Sequence, residues 1–356
     1  MADKLLIRMF DVGLGDCIYC RIPGAHEKGG DFHILIDCGS LSGMDYLEAA
    51  VTGLKTLLPD TPDGKKRLDL LVVTHQHKDH MAGFGADLWK DFVVGAIWMS
   101  AAMDENHPEA TKAKKLHGFA EGAMAQALRL NLALSPELRE LANAMSFSND
   151  EAMQTLRVTL PKQSNITPTY VHAASSDAEL SLPLKGATLS VLGPEKDIDY
   201  YYLGDEGDPS LRGLMGVLAS PSLAMTQEAA IEPTALPANL DPADFRQLRS
   251  RMLSTALAFA DLDGKVTNNT SVVLLIEWQG KRLLFVGDAE WDGGYREKKG
   301  NCSWNVMWNK RRGKLAGPLS FLKIGHHGSI NATPLERGQC AGQERARRHS
   351  RCYPAG

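Results

Sequence analysis

The stretch Val72-Val73-Thr74-His75-Gln76-His77-Lys78-Asp79-His80 decides the fold of this 356-residue chain. The apolar run over residues 68–73 is rich in leucine and valine and predicts a buried strand. Four side chains that can bind a metal ion follow at once, namely His75, His77, Asp79 and His80. Their i, i+2 histidine spacing differs from the helical pair of HExxH proteases. A loop at the strand end can aim His75 and His77 at one ion and Asp79 and His80 at a second. The simpler alternative is a polar turn that is rich in histidine.

Two later strand-like segments also end in candidate ligands. Residues 282–286 lead into Gly287-Asp288, and residues 318–324 lead into Gly325-His326-His327-Gly328-Ser329. A carboxylate can bridge two ions through its two oxygens, which is the role predicted for Asp288. The second ion then needs one more imidazole, from His326 or His327, because adjacent residues on an extended segment point to opposite sides. Each segment alone is typical of an ordinary turn, but together they predict a dinuclear site with Asp79 and Asp288 as its catalytic carboxylates.

With Asp37, which follows the apolar run 34–36, these motifs resemble the metallo-β-lactamase superfamily. Residues 10–16 (Phe-Asp-Val-Gly-Leu-Gly-Asp), 269–275 and 323–329 resemble more narrowly the hydrolase domain of competence DNA-uptake channels (ComEC-like). The resemblance covers residues 4–100 and 180–334, approximately. It implies an α/β fold, the αββα sandwich, with a dinuclear metal site at one edge. It also implies a hydrolase, in this branch most often of phosphodiester bonds.

Three residues outside the ligand set are candidates for supporting roles. Asp37 is expected to accept the second N–H of a ligand imidazole, or else to form a turn before Cys38-Gly39. Asp16 lies in a loop with Gly13 and Gly15 that would let backbone approach the metals or substrate, or that is a plain β-turn. Asn269 would bind substrate or only shape its loop.

The superfamily usually supplies a third histidine to the ion at His75 and His77. The candidates in the middle of this chain are His107, His117 and His172. His117 falls in a helical stretch, residues 113–120, and we expect it on the surface. None of the three has a convincing context, so water or substrate would fill the open position that a catalytic metal needs.

Residues 1–334 are predicted to form one metallo-β-lactamase-like domain, with helical inserts at about 103–183 and 197–262. Long inserts often carry specificity, so these could be lids or dock a protein partner. Residues 335–356 are basic and lack apolar periodicity, which indicates an irregular tail or a truncated end.

Composition favours an enzyme core over a basic nucleic-acid module. Of the residues, 44% are hydrophobic and the net charge is −4, so no global basic character points to nucleic acid. There is no apolar run of membrane-spanning length and no secretory signal, so we expect a cytoplasmic protein. Cys17 and Cys20 are interpreted as buried small residues, on opposite faces of a strand, rather than as a metal or redox pair.

The sequence thus predicts a metal-dependent hydrolase with two divalent ions (Zn or Mn) and a bridging hydroxide. Its substrate would be anionic, such as a nucleic acid or a nucleotide, which makes a phosphodiesterase or nuclease the leading hypothesis. One alternative is a hydrolase of a carbonyl substrate (lactone, thioester or β-lactam) on the same site. Others are a metal-bound interaction module and, as a minor hypothesis, a redox di-iron site.

Overall fold

The structure is a computed structural model, and it describes residues 4–129, 149–204, 258–332 and 334. The predicted tail at 335–356 and most of the predicted second insert lie outside the described residues. The described chain forms two β-sheets with helices on their outer faces.

The first sheet has six strands in the order β1-β2-β3-β4-β5-β6. Its first two pairings are antiparallel and the remaining three are parallel. The strands are β1 (Leu6–Met9), β2 (Ile18–Ile22), β3 (Phe32–Ile36), β4 (Lys66–Val73), β5 (Phe92–Ser100) and β6 (Thr169–Val171). The continuous apolar run of β4 suits a parallel strand that is covered on both faces.

The second sheet has four strands in the order β10-β9-β8-β7. The strands are β7 (Ala187–Gly193), β8 (Val273–Trp278), β9 (Lys281–Phe285) and β10 (Phe321–Lys323). The β8–β9 hairpin predicted around Gln279-Gly280 is confirmed, and both turn residues have positive φ, as tight hairpins require.

The helices lie between these strands in the order of the chain. They are α1 (Met44–Lys55), α2 (Lys78–Met81), α3 (Ala86–Trp89), α4 (Thr111–Arg129), α5 (Asp150–Gln154), α6 (Leu160–Ser164), α7 (residues 258–269) and α8 (Ser303–Leu315). A π-helical turn, Thr155–Thr159, joins α5 to α6.

The alternation of the strands divides the core into layers. One cluster lies between the sheets and includes Ile34, Val72, Leu274 and Phe285. A second cluster packs the outer face of the first sheet against α1, and a third packs the second sheet against α8. This is the layered α/β architecture of a metallo-β-lactamase fold. Cys17 and Cys20 are buried on opposite faces of the first sheet, as predicted.

Four local details differ from the sequence-based expectations. The strand expected over 318–324 is shortened to β10, and the helix expected near His80 is the single turn α2. Part of the range assigned to the first insert, β6, pairs with β5 and so extends the sheet. His326–Gly328 is a 3-10 turn with His326 at φ 46°, so the assumption of an extended segment there is wrong.

Candidate metal centre

The predicted ligands from remote parts of the chain converge between the carboxyl ends of β4 and β9. The Oδ2 atom of Asp288 lies 3.8 Å from Nε2 of His75 and 3.3 Å from Nε2 of His80. Nε2 of His75 is also 3.1 Å from Nδ1 of His77. All of these side chains are buried except that of His77, which is half-buried. The strand-end motifs therefore meet in one place.

Two sets of three potential ligands share one residue. His75, His77 and Asp288 form one set, and Asp79, His80 and Asp288 form the other. In each set the ligand atoms lie within 4.8 Å of one another. A third set, Asp16, Asp37 and His80, shares only His80 with these. The division into a His75/His77 half and an Asp79/His80 half is the one that the strand-end spacing predicts.

The two carboxylate oxygens of Asp288 have different partners. Its Oδ1 accepts a hydrogen bond from the backbone N–H of His326 at 2.9 Å, while Oδ2 faces both His75 and His80. Oδ2 thus lies between the two halves, and Oδ1 contacts the turn that follows β10. That each oxygen serves one ion stays a prediction.

Two hydroxyls that sequence reasoning missed fix the orientation of His75. Its Nδ1 lies 3.1 Å from Oγ1 of Thr74 and 3.2 Å from Oγ of Ser271. Ser271 Oγ also accepts the backbone N–H of Asp288 at 3.0 Å. A Cβ on Gly287, which has φ 53°, would come within 2.8 Å of the Ser271 Cβ, so glycine is required there. With Nδ1 held by hydroxyls, Nε2 faces the ligand cluster.

Asp37 lies between Thr74 and the ring of His80. Its Oδ2 lies 2.8 Å from Nδ1 of His80, and its two oxygens also accept the N–H and hydroxyl of Thr74, each at 2.7 Å. Because these contacts make Asp37 an acceptor, Nδ1 of His80 carries the proton and Nε2 faces Asp288 and Asp79. The residue has φ 57°, a conformation that Asp and Asn tolerate better than most residues.

Burial and neighbouring charges shift the pKa values of His75 and His80 in opposite directions. Burial and the neighbouring rings of His80 and His77 lower the pKa of His75 well below its ordinary value. At His80, burial also disfavours the charged ring, but Asp288, Asp79 and Asp37 outweigh it and raise its pKa well above the ordinary value. Burial alone would raise the pKa of Asp288, yet His80 and His75 hold it well below its usual range.

Asp16 is paired with a cation and also lies beside the cluster, with its Oδ2 4.0 Å from Nδ1 of His80. Nζ of Lys323 donates to its Oδ2 at 2.6 Å, and both side chains are buried. The glycines of its loop serve backbone packing, since a Cβ on Gly15 would lie 2.3 Å from the carbonyl oxygen of Gly39 and 2.8 Å from that of Asp79. The loop at Gly15 therefore packs directly against the backbone of Gly39 and Asp79.

Asn269, at the end of α7, shapes the loop around Glu290. Its Nδ2 donates to the Lys265 carbonyl at 2.8 Å and to Glu290 Oε2 at 3.2 Å. Its Oδ1 accepts the backbone N–H groups of Glu290 and Ser303. Glu290 in turn has Oε1 3.6 Å from Nδ1 of His326. These contacts favour the loop-shaping alternative for Asn269. His326 belongs to none of the three ligand sets, and whether His327 is a ligand stays a prediction.

A cavity of about 320 Å³ opens beside His75 and His77. Its other walls come from α4, α5, the π-helical turn after α5, and α7, and they include Lys114, His117, Arg157 and Asp263. The side chain of His117, which was expected on the surface, is 35% exposed and lines this cavity. His117 Nδ1 lies 2.9 Å from Asp263 Oδ2, and its Nε2 lies 3.0 Å from Nε2 of Gln76.

The other two candidates for a third histidine lie elsewhere. Nε2 of His107 is 2.7 Å from the Lys196 carbonyl oxygen, and Nδ1 of His172 accepts the Ala174 N–H at 3.2 Å. The two rings are neighbours, with centroids 6.5 Å apart. Neither residue belongs to a ligand set found among the described residues.

The donor set fits a divalent cation. Imidazole nitrogen and carboxylate oxygen are ligands of Zn²⁺ and of other first-row divalent ions. Here these ligands lie together in a largely buried part of the structure. Nδ1 of His75 contacts hydroxyl groups and Nδ1 of His80 contacts Asp37, so Nε2 of each ring faces the other ligands. His75, His77 and Asp288 would hold one ion, and Asp79, His80 and Asp288 a second.

The family model of the metallo-beta-lactamase superfamily matches residues 27–125. The matched segment contains Asp37 and the motif from His75 to His80, and it ends before Asp288. This match indicates a metal-dependent hydrolase of a fold that usually binds divalent metal ions. No curated protein sequence matches the chain.

A search for membrane-spanning segments in the described part of the chain found no helix that is both long and apolar enough.

Proposed function

We propose that this chain is a phosphodiesterase that binds two divalent cations, Zn²⁺ or Mn²⁺, at Asp288. The observation that carries the proposal is that two sets of ligands share this one carboxylate. Two cations held close together lower the pKa of a water molecule, so that hydroxide exists near neutral pH, and they neutralise charge on an anionic substrate.

The chain's own residues prepare this place in three ways. Asp37 holds the proton of His80 on Nδ1, and the hydroxyls of Thr74 and Ser271 orient His75. The 3-10 turn after β10 holds Oδ1 of Asp288. These contacts leave little freedom for the ligand side chains, so binding a cation costs little reorganisation.

A phosphodiester is favoured over a carbonyl substrate by two considerations. The opening motifs and the final motif resemble the competence-channel branch, in which phosphodiester hydrolysis is most common. In addition, Lys114 in the cavity wall supplies a positive charge, and its Nζ donates to the carbonyl oxygen of His107. An anionic substrate next to His75 and His77 would meet this charge.

The basic residues that precede β10 pair partly with carboxylates outside the cavity. Lys310 and Arg311 both pair with buried Glu195, and Arg296 pairs with Asp292. The proposal therefore places substrate recognition in the cavity rather than at this basic surface.

The test is hydrolysis by the purified full chain with Zn²⁺ or Mn²⁺ added. We expect turnover of bis(p-nitrophenyl) phosphate and little turnover of nitrocefin, a lactone or a thioester. The reverse ranking would favour the carbonyl alternative. Absence of turnover on all four, with two metal ions bound, would favour an interaction module whose helices at the cavity dock a protein partner.

A further inference from the structure

We infer that His117, held by Asp263, is the proton donor to the leaving group of the substrate. This inference rests on the proposed function, because it adds a second catalytic group to the same hydrolysis. His117 lies outside the ligand sets and comes from α4, and its partner comes from α7, so neither belongs to the strand-end motifs.

The position of His117 suits contact with substrate. Its side chain is 35% exposed and lines the cavity that also contains His75 and His77. Helical spacing puts Lys114, His117 and Glu121 on one face of α4, and all three line this cavity. A substrate atom bound beside His75 and His77 would therefore be within reach of the ring.

The partners of the ring define its protonation. Asp263 is buried and its Oδ2 lies 2.9 Å from Nδ1, so Nδ1 donates to the carboxylate and Nε2 faces the cavity side at Gln76. The amide of Gln76 offers a donor or, after rotation, an acceptor, and so it suits either state of Nε2. This is the arrangement of an acid-base histidine oriented by a buried carboxylate.

The surrounding charges favour a protonated ring. Burial lowers the pKa of His117, but the hydrogen bond to Asp263 and the charges of Asp263 and Glu121 outweigh it, so the pKa is raised. Two groups come from α4: Lys114, and Glu121, whose Oε1 lies 3.5 Å from Nε2 of His117. The other charged or titratable groups that line the cavity are Glu105, Asp150 on α5, Arg157 on the π-helical turn, Asp263 on α7, and His75 and His77. Carboxylates outnumber the fixed cations here, which favours a cationic ring near neutral pH.

The step balances as a hydrolysis. The hydroxide oxygen forms a bond to phosphorus while the bond from phosphorus to the leaving-group oxygen breaks. The electron pair of that bond stays on the leaving oxygen, which takes the proton from Nε2 of His117. The ring is then neutral and regains a proton from solvent before the next turnover.

The experiment compares two aryl diesters that differ in their need for this proton. p-Nitrophenolate leaves without protonation, whereas phenolate is a much stronger base. We expect His117→Gln to lose less than about tenfold in kcat on bis(p-nitrophenyl) phosphate and about 10²-fold or more on diphenyl phosphate, within the usual range of general acids. Asp263→Asn should show the same pattern more weakly. The matched control is His172→Gln, a half-buried histidine outside the cavity, which should change neither rate.

The outcomes separate the two proposals. If the wild-type chain hydrolyses neither diester, the proposed function fails and this inference fails with it. If it hydrolyses only the nitrophenyl ester, or if His117→Gln loses the same factor on both, only the role of His117 is overturned.

Two measurements that do not depend on turnover complete the test. Elemental analysis should show the same metal content in His117→Gln as in the wild type, whereas a loss of metal would make His117 a ligand and overturn the inference. Titration of the His117 ring followed by NMR should give a higher pKa in the wild type than in Asp263→Asn. Equal values would mean that Asp263 does not hold the ring as an acid.

Discussion

His75 and Asp288 belong to the ends of different sheets, yet Nε2 of His75 lies 3.8 Å from Oδ2 of Asp288. The backbone draws these ends together, because the N–H of Val272 donates to the carbonyl oxygen of Thr74 at 2.9 Å. Ser271 adds a side-chain link, since its hydroxyl contacts both His75 Nδ1 and the N–H of Asp288. The proposed two-ion site therefore spans the junction between the two sheets.

Replacing Asp288 tests the shared carboxylate. Asp288→Ala removes one ligand from both sets, so we expect metal content to fall from about two ions per chain to less than one, with a loss of roughly 100-fold or more in phosphodiester hydrolysis. Elemental analysis and kcat measure the two effects. Asp292→Ala is the control, because Asp292 is four residues away and pairs with Arg296. An Asp288→Ala chain that keeps two ions would contradict the bridging role.

The two halves of the site are separable by single substitutions. His77 belongs only to the first set and Asp79 only to the second. We therefore expect His77→Ala and Asp79→Ala each to retain about one ion, in contrast to Asp288→Ala. Titration with Zn²⁺, monitored by calorimetry, counts the sites. A single binding event in the wild type would rule out the second ion.

Asp37→Asn tests the orientation of His80. The asparagine tolerates φ 57° and keeps one oxygen for the N–H of Thr74, but its NH₂ group would then face Nδ1 of His80. The ring responds by moving its proton to Nε2, the nitrogen that faces the metal position. We expect metal affinity to fall by about 10- to 100-fold, as for other partners of ligand histidines. Asp69→Asn, at a buried aspartate elsewhere on β4, should leave the affinity unchanged.

The buried ion pair between Lys323 and Asp16 gives a stability prediction. Lys323→Met leaves the Asp16 carboxylate buried without its cation, which we expect to lower the free energy of unfolding by about 3–5 kcal/mol. The double variant Asp16→Asn, Lys323→Met should recover most of this loss, because no charge is left unpaired. Urea unfolding of the three chains measures both changes, and a double variant less stable than Lys323→Met would contradict the explanation.

His33 makes stability depend on pH. The residue is buried and its Nδ1 lies 2.7 Å from the Tyr19 hydroxyl. Burial, assisted by Arg67, lowers its pKa from 6.5 to about 4. The unfolded chain then binds more protons between these values, so the contribution is complete above pH 6.5 and is lost as the pH falls to 4. The loss is roughly 3 kcal/mol. His33→Gln should flatten urea-derived stability over this interval relative to the wild type, and parallel pH curves would show that His33 does not titrate as described.

The sheet framework follows from local signals, because the apolar run of β4, the β8–β9 hairpin and the strand-end polar residues are all short-range patterns. β4 and β9 lie in different sheets, so strand order within one sheet does not bring Asp288 to His75 and His80. Their meeting was expected from the combined motifs and their resemblance to the metallo-β-lactamase superfamily. The conformation of His326 was not, because a positive φ in the turn after β10 leaves no signal in the His-His-Gly sequence.

The parts that sequence reasoning missed depend on long-range packing. His117 meets Asp263, which is 146 residues away, and nothing in α4 alone indicates which face turns inward. Ser271 and Thr74 are common strand-end residues. Their hydroxyl groups contact Nδ1 of His75 together only when the two sheets pack against each other. Lys323 resembles an ordinary strand lysine until its distance to Asp16 is known.

The division of the ligands between the sheets also has a mechanical consequence. A cation bound at His75, His77 and Asp288 would connect the two sheets at one edge of the sandwich. Metal release and separation of the two sheets would then be linked equilibria. Chelators would then lower the resistance of the whole protein to denaturant, and a substitution far away, in the apolar layer between the sheets, would weaken the hold on the ions without touching a ligand.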